Sequence, residues 1–438
     1  MNRTVVWYGG CAGFAATTAA VTSLAPHRTW GLVAACAYAL AALAAAVGRC
    51  RLGGGRLVGC GVFVGAACVP LLVLAVTGSA QEEVHVVHRS AALLLSEGTP
   101  YLSADRLEGA EALAYNPYLP GMALFGVPHQ LLGVDARFVF AAVFLGTFAL
   151  SVRFLCGTGE RLRTALLFAG SPLIALPMAT GGDDLPVIGL SCLGLALAGR
   201  GSPGRAGAVL GLAGILKATA WPALAVALAL LAIRGGSRTA LRYGASAALT
   251  LACGLALPAL ADPGGLVTST IRYPLGLAGV ESPAASPLPG KLLAEAGPLG
   301  HGLAVGALVV AALGIGVSLL VRPPRDVRAA ALRLALGLLA AMALMPASRF
   351  GYLVYPMVLV LWARWRISDD QPVQPVRPVQ SVRSVRFALS VPYALSVLYA
   401  RAAQPESYAG HAGSHAGTHP DHHQRLPAAA GRNREVRA

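Results

Sequence analysis

The stretch QEEVHVVHRSAALLLSEGTPYL, residues 81–102, is a polar interruption between two long apolar runs. The chain has 438 residues, of which 56% are hydrophobic and only 12% charged, whereas about a quarter of the residues of a typical soluble protein are charged. Apolar runs of about 20 residues recur on both sides of the stretch, and each is long enough to cross a bilayer as a helix. The composition therefore predicts a polytopic all-α membrane protein, and a soluble bundle of buried helices is the less favoured alternative.

Twelve membrane-spanning helices are predicted, and both termini are placed in the cytoplasm. The spans are assigned to residues 5–25, 30–47, 57–78, 136–153, 164–180, 185–199, 206–221, 223–234, 243–261, 301–321, 329–346 and 350–364. Because arginines cluster in alternate loops, the net charge of +15 indicates the orientation of the helices rather than nucleic-acid binding. The first apolar run is interpreted as a span, not as a cleavable signal peptide. Residues 1–366 are thus expected to form one domain in the plasma membrane, with long outer loops at about 79–135 and 262–300.

An amphipathic helix is predicted over residues 83–96, in the first outer loop. Apolar residues recur there at helical spacing, at Val84, Val87, Ala91, Leu94 and Leu95. The opposite face carries Glu82, His85, Arg89 and Ser96. We expect the helix to lie on the outer membrane surface with its polar face toward water, and to end at residues 98–100, where a proline follows. Taken alone, such a helix could be purely structural.

Ionisable residues and tyrosines recur at the predicted outer ends of later spans. They are Asp183, Asp184, Lys217, Arg349, Tyr352 and Tyr355. Each has an ordinary explanation, because acidic residues suit helix N-termini, lysine extends its ammonium to the interface, and arginine often marks a span boundary. As a group they favour a functional site, because charges at the edges of spans are costly and tend to be functional.

A sugar linked through phosphate to a membrane lipid would need this combination of groups. Cations at the outer surface stabilise the phosphate as it leaves, and a carboxylate on the opposite side accepts the proton of the attacking hydroxyl. A carboxylate held against an apolar surface is a stronger base than a fully solvated one. Tyr115 and Tyr118 can stack on a sugar face, and Asn116 between them is a further binding candidate.

The order of these segments resembles glycosyltransferase family 87, mannosyltransferases of the GT-C superfamily that use polyprenyl-phosphate mannose. The resemblance covers about residues 80–365, and its segments are EVHVVHRSAALLLSEGTPYL (83–102), YNPYLPGMALFG (115–126), GGDDLP (181–186), GLAGILKATAWP (211–222) and MPASRFGYLVYP (345–356). It implies a GT-C-like fold and an inverting hexosyltransferase that acts on the outer membrane face. The implied partners are the bilayer, a polyprenyl-phosphate sugar and a lipid or glycan acceptor of the cell envelope.

The resemblance also implies roles for particular residues. Glu83 matches the position of the catalytic carboxylate, with Glu82 as the adjacent alternative, and Lys217 and Arg349 match positions that face the donor phosphate. The further substrate-binding candidates are His85, Arg89, Tyr115, Asn116, Tyr118, Asp183, Asp184 and Tyr352. The chain departs from the family in having Glu where the family has Asp, and YNPY where the family has a double proline. No cofactor or metal site is expected, although a divalent ion stays open.

Two other interpretations follow from the residues, namely a transporter or lipid flippase, and a non-catalytic protein of the same fold. A transporter is expected to have broken spans at the midplane and repeated halves. No repeat is evident in the sequence, and its outer charges cluster at span ends rather than midway. The first of these interpretations is therefore less favoured than a transferase.

The remaining features point to no further chemistry. Residues 367–438 are predicted to be a non-globular cytoplasmic tail, and its histidines, His411, His415, His419, His422 and His423, are expected to bind metal only incidentally. The cysteines lie in or beside spans without a CxxC pair, so we expect them to be small packing residues. They are residues 11, 36, 50, 60, 68, 156, 192 and 253.

Overall fold

The structure is a computed structural model that describes residues 3–48, 54–156, 165 and 167–364. Within these residues the chain forms helices and no strand, apart from one isolated bridge between Ala285 and Ser348. Six of the described helices are long and apolar enough to cross a membrane: Ala25–Ala46, Arg56–Val76, Ala136–Leu155, Ala218–Ala261, Pro298–Val321 and Val327–Leu344. An all-α membrane protein is thereby confirmed, while the count of twelve spans stays a prediction. The expected tail lies outside the described residues.

Helices of the first half of the chain lead from the N-terminus to the predicted fourth span. They are α1 (Arg3–Val21), α2 (Ala25–Ala46), α3 (Gly54–Phe63), α4 (Val69–Val76), α5 (Glu82–Glu97), α6 (Ala104–Leu107), α7 (Val127–Leu132) and α8 (Ala136–Cys156). A π-helical turn, Val64–Cys68, joins α3 to α4. A 3-10 helix, Pro120–Gly126, precedes α7. The predicted spans 5–25, 30–47, 57–78 and 136–153 thus coincide with α1, α2, the α3–α4 pair and α8.

Helices of the second half coincide with most of the predicted spans, but a turn at residues 170–171 interrupts the span predicted at 164–180. They are α9 (Pro172–Thr180), α10 (Asp184–Gly199), α11 (Pro203–Leu216), α12 (Trp221–Ala261), α13 (Pro263–Val267), α14 (Pro289–Ala294), α15 (Pro298–Val321), α16 (Val327–Leu344) and α17 (Val354–Ala363). Short 3-10 helices precede α12 and α17, at Ala218–Ala220 and Phe350–Leu353. A π-helical turn, Thr268–Arg272, follows α13.

Helix α12 consists of two helices that meet at Gly236. This glycine has φ 73° and ψ −172°, a conformation that glycine adopts without a steric penalty. The hydroxyl of Tyr243 donates to the carbonyl of Leu224 at 2.9 Å, across 19 residues of sequence. A straight helix would separate these residues by about 28 Å, so the chain reverses direction at Gly236. The reversal agrees with the predicted division into segments 223–234 and 243–261.

Arginines lie at one end of several described helices, and Asp183 lies at the opposite end. Arg200 donates to the carbonyl of Phe154, and Arg234 donates to the carbonyl of Gly199, both at 3.0 Å. The last turns of α8 and α10 and the first part of α12 therefore lie together, and we call this the basic end. The opposite ends of α8 and α10, where Asp183 lies, we call the site end.

Helix α5 packs into the protein at the site end. Its buried residues are Val84, Val86, Val87, Ser90 and Ala91. A Cβ atom added at Gly126 would lie 2.5 Å from the carbonyl oxygen of Val87 and 2.9 Å from the Cβ of Ala91, so the 3-10 helix approaches α5 closely. The predicted helix is confirmed, and it ends at Gly98. Most of its apolar stripe contacts protein, although Leu95 stays exposed. Its location at the outer membrane surface stays a prediction.

The cysteines were expected to be small packing residues, and only some of the described ones are buried. Cys11 and Cys192 are buried and pack in the helical core, whereas Cys36, Cys60 and Cys253 are exposed on helix surfaces. The described cysteines that are buried therefore serve as small packing residues, and the exposed ones do not.

Candidate active site

An open cleft lies at the site end, between α5, the loop before the 3-10 helix Pro120–Gly126, the loop after α13, and the turn before α17. It encloses about 610 Å³ of empty space, part of which is open to solvent. Its polar lining consists of Glu82, Glu83, Tyr115, Tyr118, Tyr273, Ser282, Arg349 and Tyr352. Six of the residues singled out from the sequence therefore meet in one cleft: Glu82, Glu83, Tyr115, Tyr118, Arg349 and Tyr352.

Glu83 and Arg349 form an ion pair inside this cleft. Nη1 of Arg349 donates to Oε1 of Glu83, although 266 residues separate them in sequence. Oε2 of Glu83 is buried and accepts no hydrogen bond from a described residue. The glutamate side chain is 16% exposed and the arginine side chain 29%. The pair is thus partly shielded from water, and both of its side chains line the cleft.

Backbone contacts hold both partners of the pair in place. Glu83 lies in the first turn of α5. Gln81, the residue before α5, donates its N–H to the carbonyl of Thr180 at 3.0 Å. On the other side, the N–H of Ser286 donates to the carbonyl of Ser348 at 2.9 Å, and the hydroxyl of Ser286 accepts from the N–H of Phe350 at 3.1 Å. The second long loop therefore fixes the segment that carries Arg349.

Lys217 lies at the end of α11 within a buried polar cluster. Its ammonium donates to Oδ1 of Asp183 at 2.8 Å and to Oδ1 of Asp184 at 2.5 Å. The hydroxyl of Tyr355 also donates to Oδ1 of Asp184, at 2.9 Å, and forms a 2.9 Å hydrogen bond with the hydroxyl of Thr219. Asp183 precedes α10 but makes no capping hydrogen bond with its side chain. The aspartates therefore serve the lysine and not the helix terminus.

This Lys217 cluster lies directly behind the wall of the cleft. The ammonium of Lys217 is 4.7 Å from the ring centroid of Tyr118 and 6.0 Å from that of Tyr352. Both rings line the cleft, whereas Lys217, Asp183 and Asp184 do not. In this structure two carboxylates bind the Lys217 ammonium, and the tyrosines separate it from the cleft. A direct contact between Lys217 and the donor phosphate stays a prediction.

Burial gives Asp183 an unusual acidity. Desolvation, supported by the negative charges of Asp184 and Glu83, raises the pKa of its carboxyl to about 7, although the Lys217 ammonium opposes the rise. Protonation of Asp183 leaves one lysine paired with one aspartate, and its ionisation adds a net negative charge to the cluster. The charge behind the cleft wall therefore changes near neutral pH.

Tyr115 and Asn116 contact other protein residues that form or support the wall of the cleft. The ring of Tyr115 stacks on that of Tyr273, with centroids 4.6 Å apart and planes 9° apart. Asn116 is buried; its amide donates to the carbonyl of Pro100 at 3.2 Å and its oxygen accepts from the N–H of Tyr118 at 3.1 Å. Tyr115 therefore joins the two long loops, and Asn116 shapes the chain without lining the cleft.

Tyr273 is a cleft residue that was not predicted from the sequence. It lies in the second long loop, next to Pro274, and both residues line the cleft. A tyrosine next to a proline in a long outer loop, as also occurs within YNPY at residues 115–118, is the signal that could have found it.

His85 and Arg89 lie on α5 but do not line the cleft. His85 is exposed. The guanidinium of Arg89 donates to the carbonyl oxygens of Leu113 and Ala114. Arg89 therefore ties α5 to the loop that carries Tyr115, and the structure brings neither residue to the ion pair.

Comparison with known proteins gives one match. The model of a family described as "Glycosyltransferase family 87" matches residues 116–346, more than half of the chain. The matched range contains Asp183, Asp184 and Lys217, begins after α5 and ends three residues before Arg349. No curated protein and no solved structure matches the chain. The pairing of Glu83 with Arg349 therefore rests on the structure alone.

Proposed function

Because this chain belongs to glycosyltransferase family 87 and is a membrane glycosyltransferase, we propose that it moves a hexose, with mannose as the first candidate, from a polyprenyl-phosphate donor to a lipid or glycan acceptor of the cell envelope. The observation that carries the proposal is the Glu83–Arg349 pair in a cleft walled by tyrosines. A cleft at one end of apolar helices suits a donor whose lipid tail stays in the bilayer. Family membership argues against the transporter interpretation.

The proposed reaction is a single inverting displacement. The acceptor hydroxyl attacks the anomeric carbon from the face opposite the phosphate, and Glu83 accepts its proton as the new C–O bond forms. The bond from the anomeric carbon to the phosphate oxygen breaks, and its electron pair leaves with the polyprenyl phosphate. Arg349 stabilises that phosphate with charge-assisted hydrogen bonds. Glu82, the neighbouring carboxylate in the cleft, is the alternative base.

The other cleft residues would bind and position the sugar. Tyr118 and Tyr352 line the cleft beside the ion pair, and aromatic rings suit the apolar faces of sugars. Behind these rings the Lys217 cluster holds their positions through the contacts described above. The lipid-linked sugar is a co-substrate in this scheme, and the reaction needs no separate cofactor.

We place the site end on the outer face of the plasma membrane. The basic end carries arginines at the ends of several helices, such as Arg200 and Arg234, and clusters of this kind stay on the cytoplasmic side of membrane proteins. A lipid-linked donor then meets its cell-envelope acceptor on the side where that acceptor lies.

A transfer assay with isolated membranes tests the proposed function. Membranes that contain the protein are incubated with radiolabelled polyprenyl-phosphate mannose and extracted cell-envelope glycolipids, and matched membranes without the protein serve as the control. We expect label in the glycolipid fraction only when the protein is present. Movement of the labelled donor across the membrane without transfer would instead support a flippase.

A further inference from the structure

The ion pair places the proposed base directly on the proposed phosphate-binding cation. In an inverting displacement the base and the leaving group lie on opposite faces of the sugar, so the sugar ring separates them. In inverting glycosidases the two reacting carboxyl groups are about 6.5–9.5 Å apart for a related reason. Contact between Glu83 and Arg349 is therefore incompatible with a bound, reacting donor, and the pair must open before transfer.

The cleft offers no second cation that could take the phosphate instead. Arg349 is the only residue with a cationic side chain among the described residues that line it. Lys217, behind the wall, is committed to Asp183 and Asp184, and Arg89 donates to the backbone carbonyls of Leu113 and Ala114. A donor phosphate and the Glu83 carboxylate are both anions that bind guanidinium groups. They must compete for the same side chain.

We propose that the donor phosphate displaces Glu83 from Arg349, so that the base becomes available only after the donor has bound. This inference rests on the proposed function. In the empty cleft Arg349 neutralises the carboxylate and holds it at the phosphate position. Once the phosphate occupies Arg349, Glu83 is released to receive the proton of an acceptor hydroxyl. Donor binding then precedes activation of the acceptor.

If the phosphate displaces Glu83 from Arg349, removal of the Glu83 charge should strengthen phosphate binding, which general damage to the cleft would not do. Part of the binding free energy of the donor is used to break the ion pair. Glu83→Gln removes the competing charge and keeps the size of the side chain, so phosphate binding should become tighter while transfer is lost. A variant that merely disturbs the cleft would weaken both.

Binding of farnesyl phosphate, a soluble polyprenyl monophosphate without sugar, to the full-length protein in nanodiscs tests the inference by calorimetry. We expect Glu83→Gln to bind about three- to tenfold more tightly than the natural protein, the scale of a partly exposed ion pair. Glu82→Gln is the matched control, because it removes the same charge from the same cleft without touching Arg349. Its gain should be clearly smaller.

The second part of the test uses Arg349. Arg349→Lys keeps a cation and should bind the phosphate weakly but measurably, which also shows that the variant folds. Arg349→Ala should bind little, and adding Glu83→Gln to it should give no gain, because the effect of Glu83 passes through Arg349. Absence of a gain in the single Glu83→Gln variant, or an equal gain in Glu82→Gln, overturns the displacement while the proposed function stands. If the natural protein and all variants fail to bind, both the function and the inference are wrong.

Discussion

The carboxylate of Glu83 has one oxygen on Arg349 and a second oxygen without a described partner. Glu83→Gln preserves the shape of the side chain but cannot accept a proton. General-base catalysis contributes about a hundred- to ten-thousand-fold, so we expect the rate of labelled-sugar transfer to fall by that order while the amount of folded protein stays the same. Glu83→Asp should retain more activity than Glu83→Gln, because the carboxylate remains and only its reach is shortened.

Glu82 provides the matched control for this experiment. It lines the same cleft, is exposed, and has no ion pair with a described residue. Glu82→Gln should therefore reduce transfer only slightly. Inactivity of Glu82→Gln with activity of Glu83→Gln would move the base by one residue, and full activity of both variants would contradict a base in this loop.

Lys217 is expected to act through its neighbours and not on the donor. Lys217→Met leaves the buried carboxylates of Asp183 and Asp184 without their cation, and breaking a buried ion pair costs about 3–5 kcal/mol of stability. We expect a lower unfolding temperature in detergent, and partial recovery when Asp183→Asn is added. Normal stability of Lys217→Met, combined with loss of farnesyl phosphate binding, would instead support the direct phosphate contact inferred from the sequence.

Asp183 should make stability depend on pH. Its pKa is raised to about 7 by burial, so the folded protein holds a proton there that the unfolded chain releases at lower pH. The stabilisation is therefore complete below the unfolded pKa near 4 and is lost as the pH rises through about 7. Asp183→Asn has no such proton, and its unfolding temperature minus that of the natural protein should increase between pH 5.5 and pH 8. A constant difference over this range would contradict the raised pKa.

Among the helices, α5 shows where sequence patterns suffice and where they do not. The spacing of Val84, Val87 and Ala91 predicts the helix and its buried face, and the structure confirms both within a residue or two. The helical spacing of these residues does not show what covers the apolar face, because a membrane surface and a protein surface can both bury it. The partner became visible only through Gly126, whose close approach to α5 has no local signature.

Gly126→Ala tests whether this packing positions the site. The added Cβ would lie 2.5 Å from a backbone carbonyl of α5, and overpacking of this kind costs about 1–3 kcal/mol. We expect a lower unfolding temperature and slower transfer, because α5 carries Glu83. Gly146→Ala is the control, since a Cβ at that helical position meets no other atom within 4 Å. It should be neutral or slightly stabilising, and equal loss of activity in both variants would argue against a special role of the α5 contact.

For the whole molecule, the sequence was sufficient for the helical class, most helix boundaries and the family. It also predicted that charges at span ends converge, because alternate ends of successive spans must lie on the same side. The sequence could not predict which cation pairs with which carboxylate, because separation along the chain gives no guide. Lys217 lies 34 residues from its partner Asp183, whereas Arg349 lies 266 residues from its partner Glu83. Which cation meets which carboxylate depends on how the helices pack, so the pairing of Lys217 with two buried aspartates could not be read from the sequence.

The orientation of the two ends decides whether the cleft can meet a lipid-linked donor on the outer face. Single cysteines can be placed at exposed positions of each end in a cysteine-depleted background. Asp105 and Ala285 lie in the two long loops, Arg205 lies in the first turn of α11, and Arg325 lies between α15 and α16. We expect a membrane-impermeant maleimide to label the first two positions in intact cells and the last two only after permeabilisation, because basic clusters are retained in the cytoplasm. Replacement of one arginine leaves most of each cluster intact, so the substitution itself should not invert the protein. Labelling of Asp105→Cys only from the inside would place the Glu83–Arg349 cleft on the cytoplasmic face, where a cell-envelope acceptor on the outer face could not reach it.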